Sequence, residues 1–321
     1  MPDGAEVVVY ELPGWAVAVR SPHPELFGYL DAFYDRGTSR PPDGQVEVFL
    51  STVERIEPYV SMDPACPRTG QVLCRCRADT FPPEFTFQEA RLLIRDLWTQ
   101  HLLLNHAAFN LHGAAVDDGE RVVVLIGPRY AGKTTLMLHM LAEYGFSLIS
   151  NDNLVVYDDD GQPRLTGVPT YCKVRLAPAT RFREFLGMRA RHHGHDAAMW
   201  QRFLRDPSQY PFHGEAMLSM SGFAARRQPC VPLHSRRLIL VDVGFTDGPP
   251  VVTESALPPV AVAAWLRSRL KWFAAPAGDA DRHLDAFAAA AQVWRYRHRG
   301  DADPLVAVLA TAVSRLEGVG S

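Results

Sequence analysis

Short apolar runs alternate with polar turns along the first hundred residues. The runs have the period-two alternation and the β-branched content of strands, and turns that carry Pro and Gly separate them. The strand-like runs cover residues 7–10, 16–19, 46–50 and 72–77, and one helix-like stretch covers 24–34. This pattern predicts a small α+β domain over residues 1–85.

A longer helical period follows this domain. Thr86 and Glu89 have the spacing of a capping box, in which each side chain satisfies a backbone amide at the start of a helix. Leucines then recur at helical spacing, at Leu92, Leu93, Leu97, Leu102 and Leu103. The sequence predicts a helix over residues 86–110 that bridges to a second domain.

The second domain is predicted from apolar runs that alternate with helical periods. Residues 122–126 are consecutive aliphatic residues, a glycine-bearing turn follows, and Leu136, Met137, Met140 and Leu141 then recur at helical spacing. Two later strand-like runs end in polar residues, one at Asn151 and Asp152 and the other at Asp242. Strands alternating with helices predict an α/β domain over residues 111–257.

The last part of the chain is predicted to be helical. Three helices are expected over residues 258–273, 279–298 and 303–316, the first of them beginning at a Pro pair that a helix start tolerates. Their apolar positions, including Trp265 and Leu266, are expected to belong to the core. Residues 258–321 are thus predicted to be a helical C-terminal tail that packs on the α/β domain.

The turn after the aliphatic run fits the phosphate-binding P-loop pattern G-x-x-x-x-G-K-[ST] at every fixed position. Its glycines allow backbone angles and a close approach that a β-carbon would block, so amide groups and the start of the helix can surround a polyphosphate. Lys133 would place its charge near the β- and γ-phosphates, and the Thr134 hydroxyl can bind Mg²⁺. The predicted nucleotide-binding residues are Gly127, Pro128, Arg129, Tyr130, Ala131, Gly132, Lys133, Thr134 and Thr135.

Composition limits the classes of partner. The 321-residue chain has a formal net charge of -3 and 47% hydrophobic residues, so it lacks the basic excess of a nucleic-acid-binding protein. Its first residues have no signal-peptide pattern, and no stretch of about 18 apolar residues could cross a membrane. We expect a cytoplasmic protein that binds neither nucleic acid nor membrane, and the sequence leaves open assembly into a homo-oligomer.

Cysteine and histidine spacing gives no metal site. The five cysteines form no C-x-x-C pair, and Cys74 and Cys76 alternate with arginines as small apolar residues do on the inner face of a strand. The run of His192, His193 and His195 lies in a polar, Arg-rich stretch and is interpreted as a solvated loop. Residues 187–235 as a whole are expected to form loops and short helices.

Two acids compete for a metal-binding role. Asp152 follows a predicted strand that is expected to neighbour the P-loop strand. From there, an acid at the carboxyl edge of the sheet can reach a bound metal. Asp242 ends another apolar run, as the acid of a Walker B strand does. Both are therefore candidate metal ligands, together with Thr134.

The order of motifs resembles one family of P-loop enzymes. Leu111-His112-Gly113 lies upstream, with His112 fifteen positions before Gly127, and Gly145-Phe146-Ser147-Leu148-Ile149-Ser150-Asn151-Asp152 lies downstream. Over residues 111–157 this order resembles the catalytic domain of HPr kinase/phosphorylase and of HPr-kinase-like enzymes of natural-product gene clusters. Residues 168–173, which end at Lys173, weakly resemble a Pro- and Lys-bearing stretch of the HPr-kinase-like enzymes. The resemblance implies a P-loop kinase domain with a central mixed sheet flanked by helices.

The resemblance also implies roles for individual residues. It implies that the P-loop binds ATP phosphates, that Mg²⁺ is bound by Thr134 and an aspartate, and that His112 lies near the transferred phosphoryl group. Together with Lys133 and Asp152, His112 is a predicted catalytic residue. The second signature of the family, which accompanies phosphorolysis of phosphoserine, is absent from the sequence, so the reverse reaction is not expected.

One position departs from the family. Where the family has two adjacent aspartates, this chain has Asn151 and Asp152, and an asparagine cannot accept a proton at neutral pH. Either Asp152 is the base and the metal is held elsewhere, with Asp242 as a candidate, or Asp152 holds the metal and the base is His112 or absent.

Three hypotheses follow for function. The first is a kinase that phosphorylates Ser or Thr of a peptide or small protein, as a step in tailoring a peptide natural product. The second is a kinase for a small metabolite, and the third is a non-catalytic ATP-binding regulatory protein. The region of loops and the extra N-terminal domain favour a peptide acceptor.

Overall fold

The structure is a computed structural model and describes residues 5–37, 41–52, 57–62, 69–76, 83–106, 108–169, 172–175, 181–189, 205–206, 215–218, 230–270 and 279–309. The histidine run at 192–195, Cys66 and the end of the predicted helix 303–316 lie outside these residues. The side chains of Cys74, Cys76 and Lys173 also lie outside the described part.

A mixed sheet organises the N-terminal part. Its strands are β1 (Glu6–Leu12), β2 (Trp15–Ser21), β3 (Asp35–Arg36), β4 (Gly44–Thr52), β5 (Glu57–Met62) and β6 (Thr69–Cys76), in the order β3-β1-β2-β4-β6-β5. Helix α1 (Pro24–Leu30) and helix α2 (Pro83–Asn105) pack against it, and Trp15, Phe33, Ile94 and Trp98 are buried in the shared core. The four predicted strands correspond to β1, β2, β4 and β6, and the helix predicted over residues 24–34 begins at Pro24 but ends at Leu30.

Helix α2 differs from its prediction at both ends. It begins at Pro83, so Thr86 lies inside the helix and is not its N-cap. Pro is favoured in the first turn because the amide it lacks has no intrahelical partner there. The helix ends at Asn105, and the last predicted helical residues belong instead to strand β7 (Phe109–His112).

The second sheet contains the P-loop strand. Its members are β8 (Ala114–Asp117), β9 (Arg121–Ile126), β10 (Ser147–Ser150), β16 (Arg237–Phe245), β17 (Val251–Glu254) and β18 (Ala291–His298), in the order β10-β8-β9-β16-β18-β17. Strand β9 is parallel to β16, which is parallel to β18, and β8 is antiparallel to both β9 and β10. The carboxyl ends of β9, β10, β16 and β18 therefore lie at one edge of the sheet.

Helices cover both faces of this sheet. Helix α3 (Lys133–Glu143) and helix α4 (Arg183–Arg189) pack on one face, where Leu136, Met140 and Leu186 are fully buried. Helices α5 (Pro259–Arg267) and α6 (Asp279–Ala290) cover the other face, with Leu266 and Leu284 in its core. Burying each aliphatic side chain contributes about 1.5–3 kcal/mol, so the alternating faces of β9 fix its place at the centre.

A smaller sheet adjoins the P-loop sheet. Strand β7 pairs with β11 (Asn153–Asp159), which pairs with β12 (Gln162–Gly167), which pairs with β15 (Cys230–Pro232). Strands β11 and β12 are antiparallel and form a hairpin. Its central residues Asp160 and Gly161 both have positive φ, at 52° and 82°, the geometry of a two-residue type I′ turn. A two-stranded sheet of β13 (Cys172–Arg175) and β14 (Glu215–Leu218) completes the described strands.

The prediction of one helix over residues 279–298 was wrong for its second half. The helix ends at Ala290, and Ala291–His298 form β18, which pairs along eight residues with β16. The segment that begins at Val293 alternates apolar or aromatic residues with arginines, a strand pattern whose start is hidden by the preceding alanines. The C-terminal tail is therefore not purely helical, because it supplies a strand to the P-loop sheet.

Two other predictions need correction. Strand β10 is not a direct neighbour of the P-loop strand, since β8 lies between them. Strand β16 does not end at Asp242 but continues to Phe245. The described residues form a mixed α/β structure, and no helix among them is long and apolar enough to cross a membrane.

Candidate active site

The phosphate-binding turn joins β9 to α3 at the carboxyl edge of the sheet. A β-carbon on Gly127 would lie 2.5 Å from the Val243 carbonyl oxygen, and one on Gly132 would lie 2.4 Å from Cε1 of His298. Gly132 also has a φ of +89°, a conformation that other residues rarely adopt. Both glycines of the motif are thus required by the fold around the turn.

Lys133 occupies the interior of the turn. Its ammonium donates hydrogen bonds to the carbonyls of Gly127 at 2.8 Å and Pro128 at 2.9 Å, and the residue is 8% exposed. Thr134 and Thr135 follow in the first turn of α3 and are half-buried. A glycine cradle, a buried ammonium and the start of a helix are the groups that bind a polyphosphate.

Tyr130 holds an unusual conformation at the tip of the turn. Its φ is 73°, although a left-handed conformation costs a non-glycine residue about 1–2 kcal/mol. The side chain is 55% exposed, and the Arg129 guanidinium lies 4.8 Å from its ring centroid. Backbone strain of this kind is concentrated at functional sites.

The fold brings His112 and Asp152 together at the same edge. Nδ1 of His112 lies 3.1 Å from Oδ1 of Asp152, and the Gly113 amide donates to the Asp152 carbonyl at 3.0 Å. The side-chain approach has the distance of an ion pair without the alignment of a hydrogen bond. Asn153 donates from its amide to the other carboxylate oxygen of Asp152, at 3.2 Å. The two side chains keep 33% and 42% of their surface exposed.

Gly113 links this pair to the P-loop strand. The chain passes at Gly113 from β7 in the smaller sheet to β8 in the P-loop sheet. A β-carbon there would lie 2.8 Å from the Leu125 carbonyl oxygen and 3.6 Å from the Ile126 side chain. The close approach made by a glycine therefore sets His112 beside the end of the strand that enters the P-loop.

Asn151 is buried, unlike this pair. The residue is 5% exposed, and its side-chain amide lies beside the thiol of Cys172 on β13. Burial raises the pKa of Cys172 to about 12, the neighbouring Asn151 amide opposes that rise, and the charge of Asp152 adds to it. Oδ1 of Asn151 has no hydrogen-bond partner among the described residues. The amide thus lies in the protein interior, whereas Asp152 faces the open edge.

Asp242 lies next to the P-loop strand but is paired with cations. It stands opposite Ile126 in the ladder, and Nη2 of Arg297 lies 2.9 Å from its Oδ2. Arg297 also donates to the Asp242 carbonyl at 2.9 Å, and Nε of Arg295 lies 3.7 Å from the same carboxylate oxygen. A metal ion at Asp242 would compete with the Arg297 guanidinium for this carboxylate.

A site for Mg²⁺ is more consistent with Thr134 and Asp152. Among the described residues, no three His, Cys, Asp or Glu side chains are grouped as a metal cage. Mg²⁺ commonly binds one or two protein groups together with substrate phosphates and water, so a full protein cage is not needed. The half-buried Thr134 and the partly exposed Asp152 suit that arrangement.

His298, at the end of β18, also contacts the P-loop. Its Nδ1 accepts a hydrogen bond from the Gly300 amide at 2.8 Å, so the proton lies on Nε2, which donates to the Ala131 carbonyl at 2.8 Å. The residue is fully buried, and burial lowers its pKa. His298 was not among the predicted site residues, because residues 291–298 were predicted to be helical. Alternating apolar and charged residues were the available signal.

Matches to known proteins are found among solved structures. No protein-family model matches the chain, and no curated protein matches it. Among solved structures, the chain is similar to the Hpr(Ser) kinase/phosphatase from Coxiella burnetii, with 12% identity and a TM-score of 0.30, over 66% of this chain and 93% of that chain. A TM-score at this level does not establish a shared fold, so function has to be inferred from the site.

Proposed function

We propose that this protein transfers the γ-phosphoryl group of Mg-ATP to a hydroxyl group. The observation that carries the proposal is the placement of the P-loop and the His112–Asp152 pair at one edge of one sheet. In phosphoryl transfer the protein contributes mostly by positioning groups and neutralising charge. A buried ammonium, a helix start and an exposed imidazole–carboxylate pair provide those contributions.

Each group has a role in the proposed reaction. The amides from Gly127 to Thr135 bind the phosphates, and Lys133 exchanges its bonds with loop carbonyls for bonds to the β- and γ-phosphates. Bound Mg²⁺, held by Thr134 and Asp152, would neutralise charge that develops on the phosphates. The acceptor oxygen forms a bond to the γ-phosphorus as the bond from that phosphorus to the bridging oxygen breaks.

His112 is the group proposed to take the acceptor proton. Its Nδ1 lies 3.1 Å from Oδ1 of Asp152, and Nε2 is the nitrogen proposed to accept the hydroxyl proton. An adjacent carboxylate orients such an imidazole and stabilises the imidazolium that forms. This assignment gives Asp152 a double role, as metal ligand and as the partner of His112, and leaves Asn151 as a structural residue.

The proposed acceptor is a Ser or Thr hydroxyl of a peptide or small protein, as in the tailoring of a peptide natural product. The partial exposure of His112 and Asp152 at the edge of the sheet supports an acceptor larger than a metabolite. A small-metabolite kinase and a non-catalytic ATP-binding protein are the competing functions. The predicted cytoplasmic location is consistent with a supply of ATP.

One experiment separates these functions. Pure protein is incubated with Mg-ATP and a panel of hydroxyl-bearing peptides and metabolites, and products are searched by mass spectrometry for an added phosphate. Lys133→Ala is the matched control, because it removes the charge that stabilises the transferred group. Transfer to a peptide supports the proposal and transfer to a metabolite alone supports the second function. ATP binding without transfer supports the third, and equal transfer by Lys133→Ala would contradict the P-loop assignment.

A further inference from the structure

The order of strands gives the two sides of the P-loop different surroundings. The His112–Asp152 pair lies on the β8 and β10 side of the P-loop, whereas β16 and β18 lie on its other side. The loop after β18 also reaches the second threonine of the motif, since a β-carbon on Gly300 would lie 4.0 Å from Cγ2 of Thr135. If the γ-phosphate faces His112, the nucleoside leaves the P-loop across the ends of β16 and β18.

An exposed aromatic ring stands on that path. Phe245 is the last residue of β16 and is 56% exposed. Its Cζ lies 3.0 Å from the position of a β-carbon on Gly132, so the ring borders the P-loop itself. Single exposed apolar residues are common on protein surfaces. The contact of this ring with a motif glycine is what distinguishes it from them.

One side of the Phe245 ring packs against the His298 ring. Its centroid lies 4.6 Å from that of the buried His298 ring, and the Thr246 amide donates to the His298 carbonyl at 3.2 Å. His298 is in turn bonded to Ala131 of the P-loop. One side of the aromatic ring is therefore fixed to the same scaffold as the phosphate site, and its exposed side faces solvent.

We propose that Phe245 is the platform on which the base of the bound nucleotide stacks. The proposal rests on the proposed function, since it concerns the same nucleotide. Stacking on an aromatic ring accepts any base, because every base has a π face. Arg299, a cation of the loop after β18, donates to the Asp247 carbonyl. Recognition by stacking alone predicts little discrimination between ATP and GTP.

Binding measurements on three ligands test the proposal. The affinities of wild type, Phe245→Ala and Phe245→Trp are measured by calorimetry for Mg-ATP, Mg-GTP and inorganic tripolyphosphate, which has the phosphates without a base. Removing a stacking ring typically weakens binding by about 5- to 150-fold. We expect Phe245→Ala to bind ATP and GTP more weakly by that factor and to keep its tripolyphosphate affinity within about twofold of wild type. Phe245→Trp should bind the nucleotides and tripolyphosphate as wild type does.

Val260→Ala is the matched control, because Val260 is a more exposed apolar residue, at 74%, on α5 away from the P-loop turn. It should bind all three ligands as wild type does. Unchanged ATP affinity in Phe245→Ala would overturn the platform. Equal losses for ATP and tripolyphosphate would also overturn it, since Phe245 would then support only the shape of the loop. Failure of the wild type to bind either ligand would instead overturn the proposed function as a whole.

Discussion

The Nε2 proton of His298 is donated to the carbonyl oxygen of Ala131, across a distance of 2.8 Å. This hydrogen bond joins the end of β18 to the residue that precedes the second motif glycine. The same imidazole accepts a bond from Gly300 and lies beside Phe245. The shape of the P-loop is thus supported by a residue far from it in sequence.

We expect His298→Phe to weaken binding of both ATP and tripolyphosphate. The variant leaves the Ala131 carbonyl and the Gly300 amide without their buried partner, a loss of about 1–3 kcal/mol. His298→Gln, which can still donate to Ala131, should recover part of the affinity. Calorimetry and the separate values of kcat and KM check this. Normal tripolyphosphate binding by His298→Phe would contradict the positioning role.

Gly132→Ala should abolish nucleotide binding. The added β-carbon would lie 2.4 Å from the His298 ring at a φ of +89°. Gly119→Ala is the matched control, because Gly119 has a φ of +98° with nothing within 4 Å of an added β-carbon. In the control, only the strain of an alanine at positive φ is introduced, which should lower the free energy of unfolding by about 1–2 kcal/mol. Binding by Gly132→Ala equal to that of the control would show that the contact with His298 is unimportant.

Asp152→Asn should lower the rate of phosphoryl transfer by at least about 10²-fold. The change removes a proposed Mg²⁺ ligand and the partner of the proposed base His112, and the help of a general base alone is worth about 10²–10⁴-fold. Asp242→Asn should act mainly on stability, since Arg297 would lose its carboxylate partner. Single-turnover rates at several Mg²⁺ concentrations separate the two effects. An inactive Asp242→Asn beside an active Asp152→Asn would reverse the two roles.

Asn151→Asp should destabilise the protein and should not supply a better base. The new carboxylate would be buried beside the Cys172 thiol, which we expect to cost about 2 kcal/mol or more. Protonation would relieve this penalty, so the difference from wild type should shrink as pH falls. Urea unfolding at several pH values measures it. A stable variant with faster transfer would mean that this position faces the acceptor.

Stability should fall on the acid side of neutrality. Burial lowers the pKa of His298 and of His139, which also faces Arg181 and Asp303. Below about pH 6.5 the unfolded chain therefore binds more protons at these two histidines than the folded chain does. Their contribution to the free energy of unfolding is fully present above that pH and is lost as pH falls through the lowered folded pKa values.

Urea unfolding of wild type and of the double variant His139→Gln, His298→Gln, between pH 8 and pH 5, tests this source of the pH dependence. The double variant should be less stable at neutral pH but should change less with pH. Parallel curves for the two proteins over this window would exclude the two histidines as its cause.

Local sequence determined the parts of the site that are contiguous in the chain. The aliphatic run of β9, the glycine turn and the period of α3 involve neighbouring residues, so their geometry follows from backbone preferences and the alternation of buried positions. The turn of the β11–β12 hairpin is local in the same way, because Asp160 and Gly161 tolerate the positive φ that it needs. The amino-terminal strands also follow from local alternation.

Tertiary structure decided which distant residues meet. The order of strands and their register placed His112 beside Asp152, directed Asn151 inwards, paired Asp242 with Arg297, and set His298 against Ala131. Local preferences could not reveal these contacts, since each depends on which strands are neighbours and on burial that only the assembled core creates. The same core made Ala291–His298 a strand, because pairing with β16 outweighed the helical preference of the alanines before it.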